Sequence, residues 1–126
     1  MPDNKTIQIE ATVEQIEIIS ESVEFLSRVL LGQLPVMAEK MANAPGISSE
    51  YANELKEQLY QIQMKLGLHT AMHSDASPEK AKVAWDIHQV LRQQLYHTHG
   101  RTERTIVDCD DPFPASKHPL ITSKLL

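Results

Sequence analysis

Residues 81–100 read AKVAWDIHQVLRQQLYHTHG, and they decide how the rest of the chain is interpreted. At 3.6 residues per turn they predict an amphipathic helix with an apolar face made of Ala84, Ile87, Leu91 and Leu95. A second row borders that face, and we call it the stripe: Trp85, His88, Arg92, Tyr96 and His99. The stripe is typical of the rim of a buried seam, a metal site or a surface for a flat anionic ligand.

The ends of this helix carry residues that favour helix termini. Ser77, Pro78 and Glu79 have the order of an N-cap, an N1 proline and an N2 acid. Gly100 stops the helix, so we expect it to end near Tyr96 or His97.

The N-terminal half contains a longer helix that opens with a capping box at Thr12 and Gln15. One apolar row along it is Val13, Ile16, Ile19, Val23, Leu26, Leu30, Leu34, Met37 and Met41, and a second is Ile18, Phe25 and Val29. Together the two rows cover a wider arc of the helix surface than packing on one side can bury. One short chain cannot cover both rows, so we expect a homo-oligomer. Gly32 and Pro35 predict a kink or a break within 31–35.

A further helix follows the turn at 43–47, and Ser48 or Ser49 caps it. Its expected buried side is Tyr51, Leu55, Leu59, Ile62 and Leu66. Gly67 has the position of the glycine that closes a helix.

Short strands are predicted at the two ends of the chain. Residues 6–11 alternate, with Ile7 and Ile9 on one side, which predicts a strand. A second short strand is predicted from Thr105 to Cys109, and a last one at 120–122. Prolines at 112, 114 and 119 make the tail, 110–126, extended. We therefore expect one domain over 1–126, mainly α with minor β, in which a long kinked helix packs with two others and the terminal strands pair.

The composition is that of a soluble globular protein, with 41% apolar and 23% charged residues. The chain has no signal-peptide pattern and no apolar run long enough to span a membrane, and one cysteine excludes an internal disulfide, so we expect a cytoplasmic protein. The net charge of −5 argues against binding to duplex nucleic acid. Residues 1–63 carry four basic and ten acidic side chains, whereas 64–126 carry eight and seven, so an anionic partner should meet the second half.

Three stretches carry a resemblance to known proteins: LSRVLLGQL at 26–34, AWDIHQVLRQQL at 84–95 and SKHPLIT at 116–122. Together they resemble small, mostly uncharacterised proteins of tailed phages and prophages. The resemblance implies a phage accessory protein in the cytoplasm of a bacterial host. Some small phage proteins of this kind counter host defence, by binding a defence protein or by sequestering a nucleotide signal.

Histidine pairs raise the question of a metal site. His69 and His73 have the i, i+4 spacing that can hold a metal from one helical face, and a third ligand would come from His97, His99 or Asp75. The pair lacks the glutamate of a HExxH protease and follows Gly67, so it need not be helical. We expect no metal and no other cofactor.

Motifs of enzymes are missing from the sequence. It has no GxSxG, no Gly-rich phosphate loop and no paired catalytic acids. Cys109 lies beside Asp108, Asp110 and Asp111, whose charges oppose thiolate formation. We expect a protein without enzymatic activity.

The stripe is the best candidate ligand site. Its aromatic rings could stack on a base, and Arg92, His99, Arg101 and Arg104 could hold a phosphate. Trp, Tyr and Arg beside an apolar face are also typical of oligomer interfaces. The stripe would be a ligand site and an interface at once if the ligand lies at a subunit boundary.

Together with the resemblance, which implies a phage accessory protein with an anti-defence role, the sequence predicts a non-enzymatic protein that binds and sequesters a small anionic nucleotide. One alternative is an inhibitor that binds a host defence protein through its acidic helical face. Another is a structural oligomer without a ligand.

Overall fold

The computed structural model describes residues 5–42, 44–67, 74–100 and 110–126. These residues contain four helices: α1, Val13–Leu30; α2, Val36–Met41; α3, Ser49–Leu66; and α4, Glu79–Thr98. The prediction of a mainly helical protein is confirmed.

The terminal strands are a correction. Residues 6–11 and 120–122 lie in no strand, and no strand occurs in the described parts of the chain. A strand forms only where another edge is available for pairing, and the main chain of the tail bonds instead to side chains of α4. The strand predicted from Thr105 lies outside the described residues.

The predicted break in the first helix is confirmed. α1 ends at Leu30 and α2 begins at Val36, with Gly32 at a φ of 86° in the turn between them. Glycine adopts this left-handed backbone without the steric cost that a Cβ brings. Pro35 has no N–H to donate to the carbonyl four residues earlier, so α1 cannot continue through it, and it becomes the N-cap of α2.

The helices form a row in the order α4, α1, α2, α3. α4 runs antiparallel to α1, because its start contacts Ser27 and its end contacts Glu17. α2 folds back beside α1, where Lys40 pairs with Glu21. Among the described helices, α3 packs on α2 alone.

The most buried positions of α1 are small residues, and the predicted apolar rows are only partly buried. Ser20 and Ser27 are buried on α1, and Ala81 and Ala84 are buried on α4. The Ser27 hydroxyl donates to the Ala81 carbonyl at 2.8 Å. Small side chains let the two backbones approach closely at this point, and five residues of the apolar rows are half-buried, namely Ile16, Val23, Phe25, Val29 and Leu30. Several others stay exposed in the single chain, namely Val13, Ile18, Ile19 and Leu26.

The predicted buried side of α3 is wrong for the single chain. Tyr51, Ile62 and Leu66 are exposed, while Leu55 and Leu59 are half-buried. α2 has only six residues and cannot cover a helix of 18.

The helix ends follow the local sequence closely. The capping box at Thr12 and the Ser48 cap are formed, and Gly67 closes α3 at a φ of 65°. The start of α4 differs by one residue, because Pro78 is its N-cap and no side chain bonds the first turn. α4 runs to Thr98, and Gly100 at a φ of 70° ends it. None of the described helices is both long and apolar enough to cross a membrane.

Candidate functional site

The stripe of α4 faces α1. His88 and Tyr96 are buried, and Trp85 and Arg92 are half-buried. His99 is exposed at the end of the helix, where its Nε2 lies 3.2 Å from Glu17 Oε1. The last two predicted site residues, Arg101 and Arg104, lie outside the described residues.

His88 connects α4 to α1 through both ring nitrogens. Its Nε2 lies 2.9 Å from Glu24 Oε2, and its Nδ1 lies 3.0 Å from Ser20 Oγ and 3.2 Å from the Ser20 carbonyl oxygen. Beside an ionised Glu24, the neutral ring keeps its proton on Nε2 and accepts from the Ser20 hydroxyl at Nδ1. A protonated ring would donate at both nitrogens, and the Ser20 carbonyl would then become an acceptor.

Burial sets the protonation of His88. Desolvation lowers the pKa of the imidazole below its ordinary value, the nearby Glu24 raises it in part, and Arg92 and Arg28 lower it. The net lowering of the pKa favours the neutral ring at neutral pH.

Two arginines flank the indole of Trp85. The guanidinium carbon of Arg28 lies 5.6 Å from the ring centroid and that of Arg92 lies 6.0 Å away, which is cation–π distance. Arg28 also donates to Glu24 at 3.2 Å and to Gln33 at 3.0 Å. Arg28 belongs to α1 and was missed by sequence reasoning, because nothing in the local pattern places it opposite residue 85. Trp85, His88, Arg92, Glu24 and Arg28 form what we call the seam cluster.

The bonds of Ser20, His88 and Glu24 have the order found in an acyl-transfer triad. Ser20 is buried in the middle of α1, where the nearby backbone N–H groups are used by the helix itself. Acyl transfer needs free donors for the developing oxyanion. The arrangement therefore fits a polar contact between two helices better than a nucleophile.

Three of the four acidic residues of α1 also form contacts within the chain. Glu17 meets His99, Glu21 meets Lys40 at 3.0 Å, and Glu24 meets His88. These carboxylates are therefore already engaged by groups of the same chain, namely a lysine and two imidazoles.

The face of α4 away from its row of Ala84, Ile87, Leu91 and Leu95 holds the tail, which sequence reasoning missed. Asp86 is buried and accepts from the backbone N–H groups of Ala115 at 2.7 Å and Ser116 at 3.0 Å. Gln89 pairs with both backbone groups of Phe113, donating to its carbonyl at 2.9 Å and accepting from its N–H at 3.0 Å. The sequence signal that could have found this contact is the i, i+3, i+7 spacing of Asp86, Gln89 and Gln93, which places three polar residues on one face of α4.

Two further contacts extend this face of α4. The Lys117 N–H donates to Glu79 at 2.7 Å, and Gln93 donates to Asp111 at 2.9 Å. The order of the contacts shows that residues 111–117 run antiparallel to α4. We call this row the tail strip: Glu79, Asp86, Gln89 and Gln93.

Two shallow clefts lie on the α2–α3 side of the molecule. One of about 350 Å³ is lined by Met41, Ile47, Tyr51, Glu54, Leu55 and Gln58. The other, of about 310 Å³, includes Arg28 and Tyr60 among its lining residues. The first cleft continues the exposed apolar side of α3.

Metal ligands do not converge in the parts of the chain that the structure describes. No group of three His, Cys, Asp or Glu side chains there has the geometry to hold an ion. His69 and His73 lie outside the described residues, so the prediction about this pair stays a prediction.

Comparison with protein-family models, with curated proteins and with solved structures finds no match for this chain. The resemblance to phage proteins therefore stays an expectation from the sequence.

Proposed function

We propose that this protein is a non-enzymatic binding protein whose working form is a homo-oligomer. The large apolar side chains that the single chain leaves exposed on α1 carry this proposal, namely Val13, Ile18, Ile19 and Leu26. Exposed apolar patches of this kind are typical of surfaces that bind another protein.

The apolar surface of α3 supports the same proposal. Tyr51, Ile62 and Leu66 are exposed along one face of this helix, and a contiguous apolar face is typical of a surface that binds another protein. Leu55, Leu59, Ile62 and Leu66 repeat at steps of four, three and four, which is the spacing of a helix–helix seam. A second copy of the chain carries the same apolar face on its α3, so the two copies can cover each other's face.

Light scattering at micromolar concentration tests the oligomer directly. We expect a mass above 14.2 kDa for the unmodified chain. Ile62→Glu with Leu66→Glu should lower that mass, because both side chains are exposed in the single chain and their replacement leaves the fold intact. Ile7→Glu is the matched control, since Ile7 is an exposed apolar residue outside the helices. A monomeric mass for the unmodified protein would end the proposal.

A second candidate function is the binding of a small planar anion, such as a nucleotide, at the seam cluster. The observation that favours it is the pair of guanidinium groups beside Trp85. An indole can stack on a base while arginines hold a phosphate. The ligand would compete with Glu24 for Arg28, so its affinity depends on how easily that pair opens.

The resemblance to phage proteins supports a bacterial host as the place where such binding occurs. A defence protein or a nucleotide signal of the host would then be the partner. The acidic face of α1 is the less favoured surface for a host protein, because Glu17, Glu21 and Glu24 already contact cationic or imidazole groups of the same chain.

A further inference from the structure

The tail is attached to α4 in an unusual way, through side chains that bond its main chain. Gln89 satisfies both backbone groups of Phe113, as a neighbouring strand would. Asp86 closes the turn at Ala115 and Ser116. Main-chain recognition of this kind selects an extended segment and depends little on most of its side chains.

The largest apolar side chains of the tail contribute little burial to their own chain. Phe113 is 70% exposed, Leu125 and Leu126 are exposed by 67% and 80%, and none of the described tail residues is fully buried. Segments held by polar contacts with few buried apolar groups open more readily than a core helix. The prolines at 112 and 114 keep the segment extended when it leaves the strip, so little order is lost before it binds again.

We propose that the tail strip is a binding site for an extended peptide and that it exchanges residues 111–117 between two copies of the chain. This inference rests on the self-association proposed above. Its ligand class is an extended segment with a backbone N–H and carbonyl between two prolines, followed by a serine at a turn. Exchange restores the same hydrogen bonds in a second copy, so it loses no contact. It also brings the exposed Phe113 ring against the surface of the neighbour.

The length of the chain permits the exchange. Nine residues, 101–109, join the end of α4 to the tail, and an extended segment of that length reaches about 30 Å. This is comparable to the length of α4 itself, at about 1.5 Å per residue. A tail can therefore reach the strip of a neighbour that packs on the exposed apolar residues of α1, next to α4, whereas a neighbour that covers only α3 lies at the other end of the row of helices.

Disulfide trapping between two singly substituted chains tests the exchange. Gln93→Cys and Asp111→Cys are each made in a Cys109→Ala background, because these side chains are in contact and removing one exposed hydrogen bond leaves Asp86 and Gln89 in place. The two proteins are mixed and oxidised with glutathione disulfide, which takes the two electrons and the two thiol protons. We expect a covalent dimer that contains one chain of each kind. The control pairs Asp111→Cys with Gln61→Cys, an exposed residue of α3, and should give no comparable yield.

The outcomes separate the exchange from the oligomer. If light scattering finds an oligomer, no mixed dimer forms and the double variant Gln93→Cys/Asp111→Cys closes within one chain, the exchange is overturned and the oligomer stands. A monomeric unmodified protein overturns both. If the double variant forms no disulfide at all, Asp86→Asn decides, because exchange requires at least tenfold weaker self-association in that variant. Unchanged association in Asp86→Asn would overturn the exchange.

Discussion

Asp86 and Ser116 are joined by two hydrogen bonds across 30 residues of sequence. Asp86 Oδ2 accepts from the Ser116 N–H at 3.0 Å and from its hydroxyl at 2.6 Å. The carboxylate is buried, so water does not replace these donors. This pair holds the turn of the tail against α4.

We expect Asp86→Asn to lower the free energy of unfolding by about 1.5–3 kcal/mol, the usual contribution of a hydrogen bond to a charged group. The amide nitrogen of Asn is a donor and would face the donors of the tail. Urea unfolding followed by circular dichroism measures the change. Ser116→Ala is the matched control, because it removes only one of the donors and should cost less. Equal stability of Asp86→Asn and the unmodified protein would contradict the role of this carboxylate.

The pH dependence of stability should report the buried His88. Its pKa is lowered in the folded protein, chiefly by desolvation and despite Glu24, so the unfolded chain takes up a proton first as the pH falls. The contribution of the neutral His88 ring to the free energy of unfolding is therefore fully present above the ordinary histidine pKa of about 6.5. It is lost as the pH drops from there toward the lower folded value.

Urea unfolding between pH 5 and 8, compared with His88→Gln, isolates this effect from the other histidines. The unmodified protein should lose more stability on acidification than the variant does. A smaller loss in the unmodified protein would show that the Glu24 contact outweighs burial and that the pKa of His88 is raised.

Nucleotide binding, if it occurs at the seam cluster, should depend on Arg28 and Arg92. We expect Arg28→Ala and Arg92→Ala each to weaken binding by tenfold or more, equivalent to about 1.4 kcal/mol. Calorimetric titration with linear and cyclic nucleotides measures the affinity, and light scattering checks that the subunit number is unchanged. Lys80→Ala is the control, since Lys80 is an exposed cation at the start of α4. An unmodified protein that binds no member of the panel would remove this candidate for those ligands.

Metal removal should leave the melting temperature unchanged. A structural site needs three or four fixed ligands, and a pair of histidines at i, i+4 supplies two. Thermal unfolding with and without a chelator is the measurement. A fall of several degrees that zinc reverses would instead assign a metal to His69 and His73.

The sequence alone determined most of the helix boundaries, those of α4 to within one or two residues. The capping box at Thr12, the break at Gly32 and Pro35, and the end of α3 at Gly67 all occur as predicted. These features depend on backbone preferences and on hydrogen bonds that span three to five residues, so the information lies in neighbouring positions.

The tertiary structure alone decided which residues these helices bring together. The apolar rows of α1 were predicted to form the buried contact, yet the most buried residues of α1 are Ser20 and Ser27, whose contacts with α4 are polar. Nothing near residue 88 in the sequence points to Glu24, and nothing near residue 86 points to Ser116. The strand expected at 6–11 has no partner edge, while the tail finds its hydrogen bonds on a helix. Such pairings arise from the packing of distant segments, which periodicity along one segment does not encode.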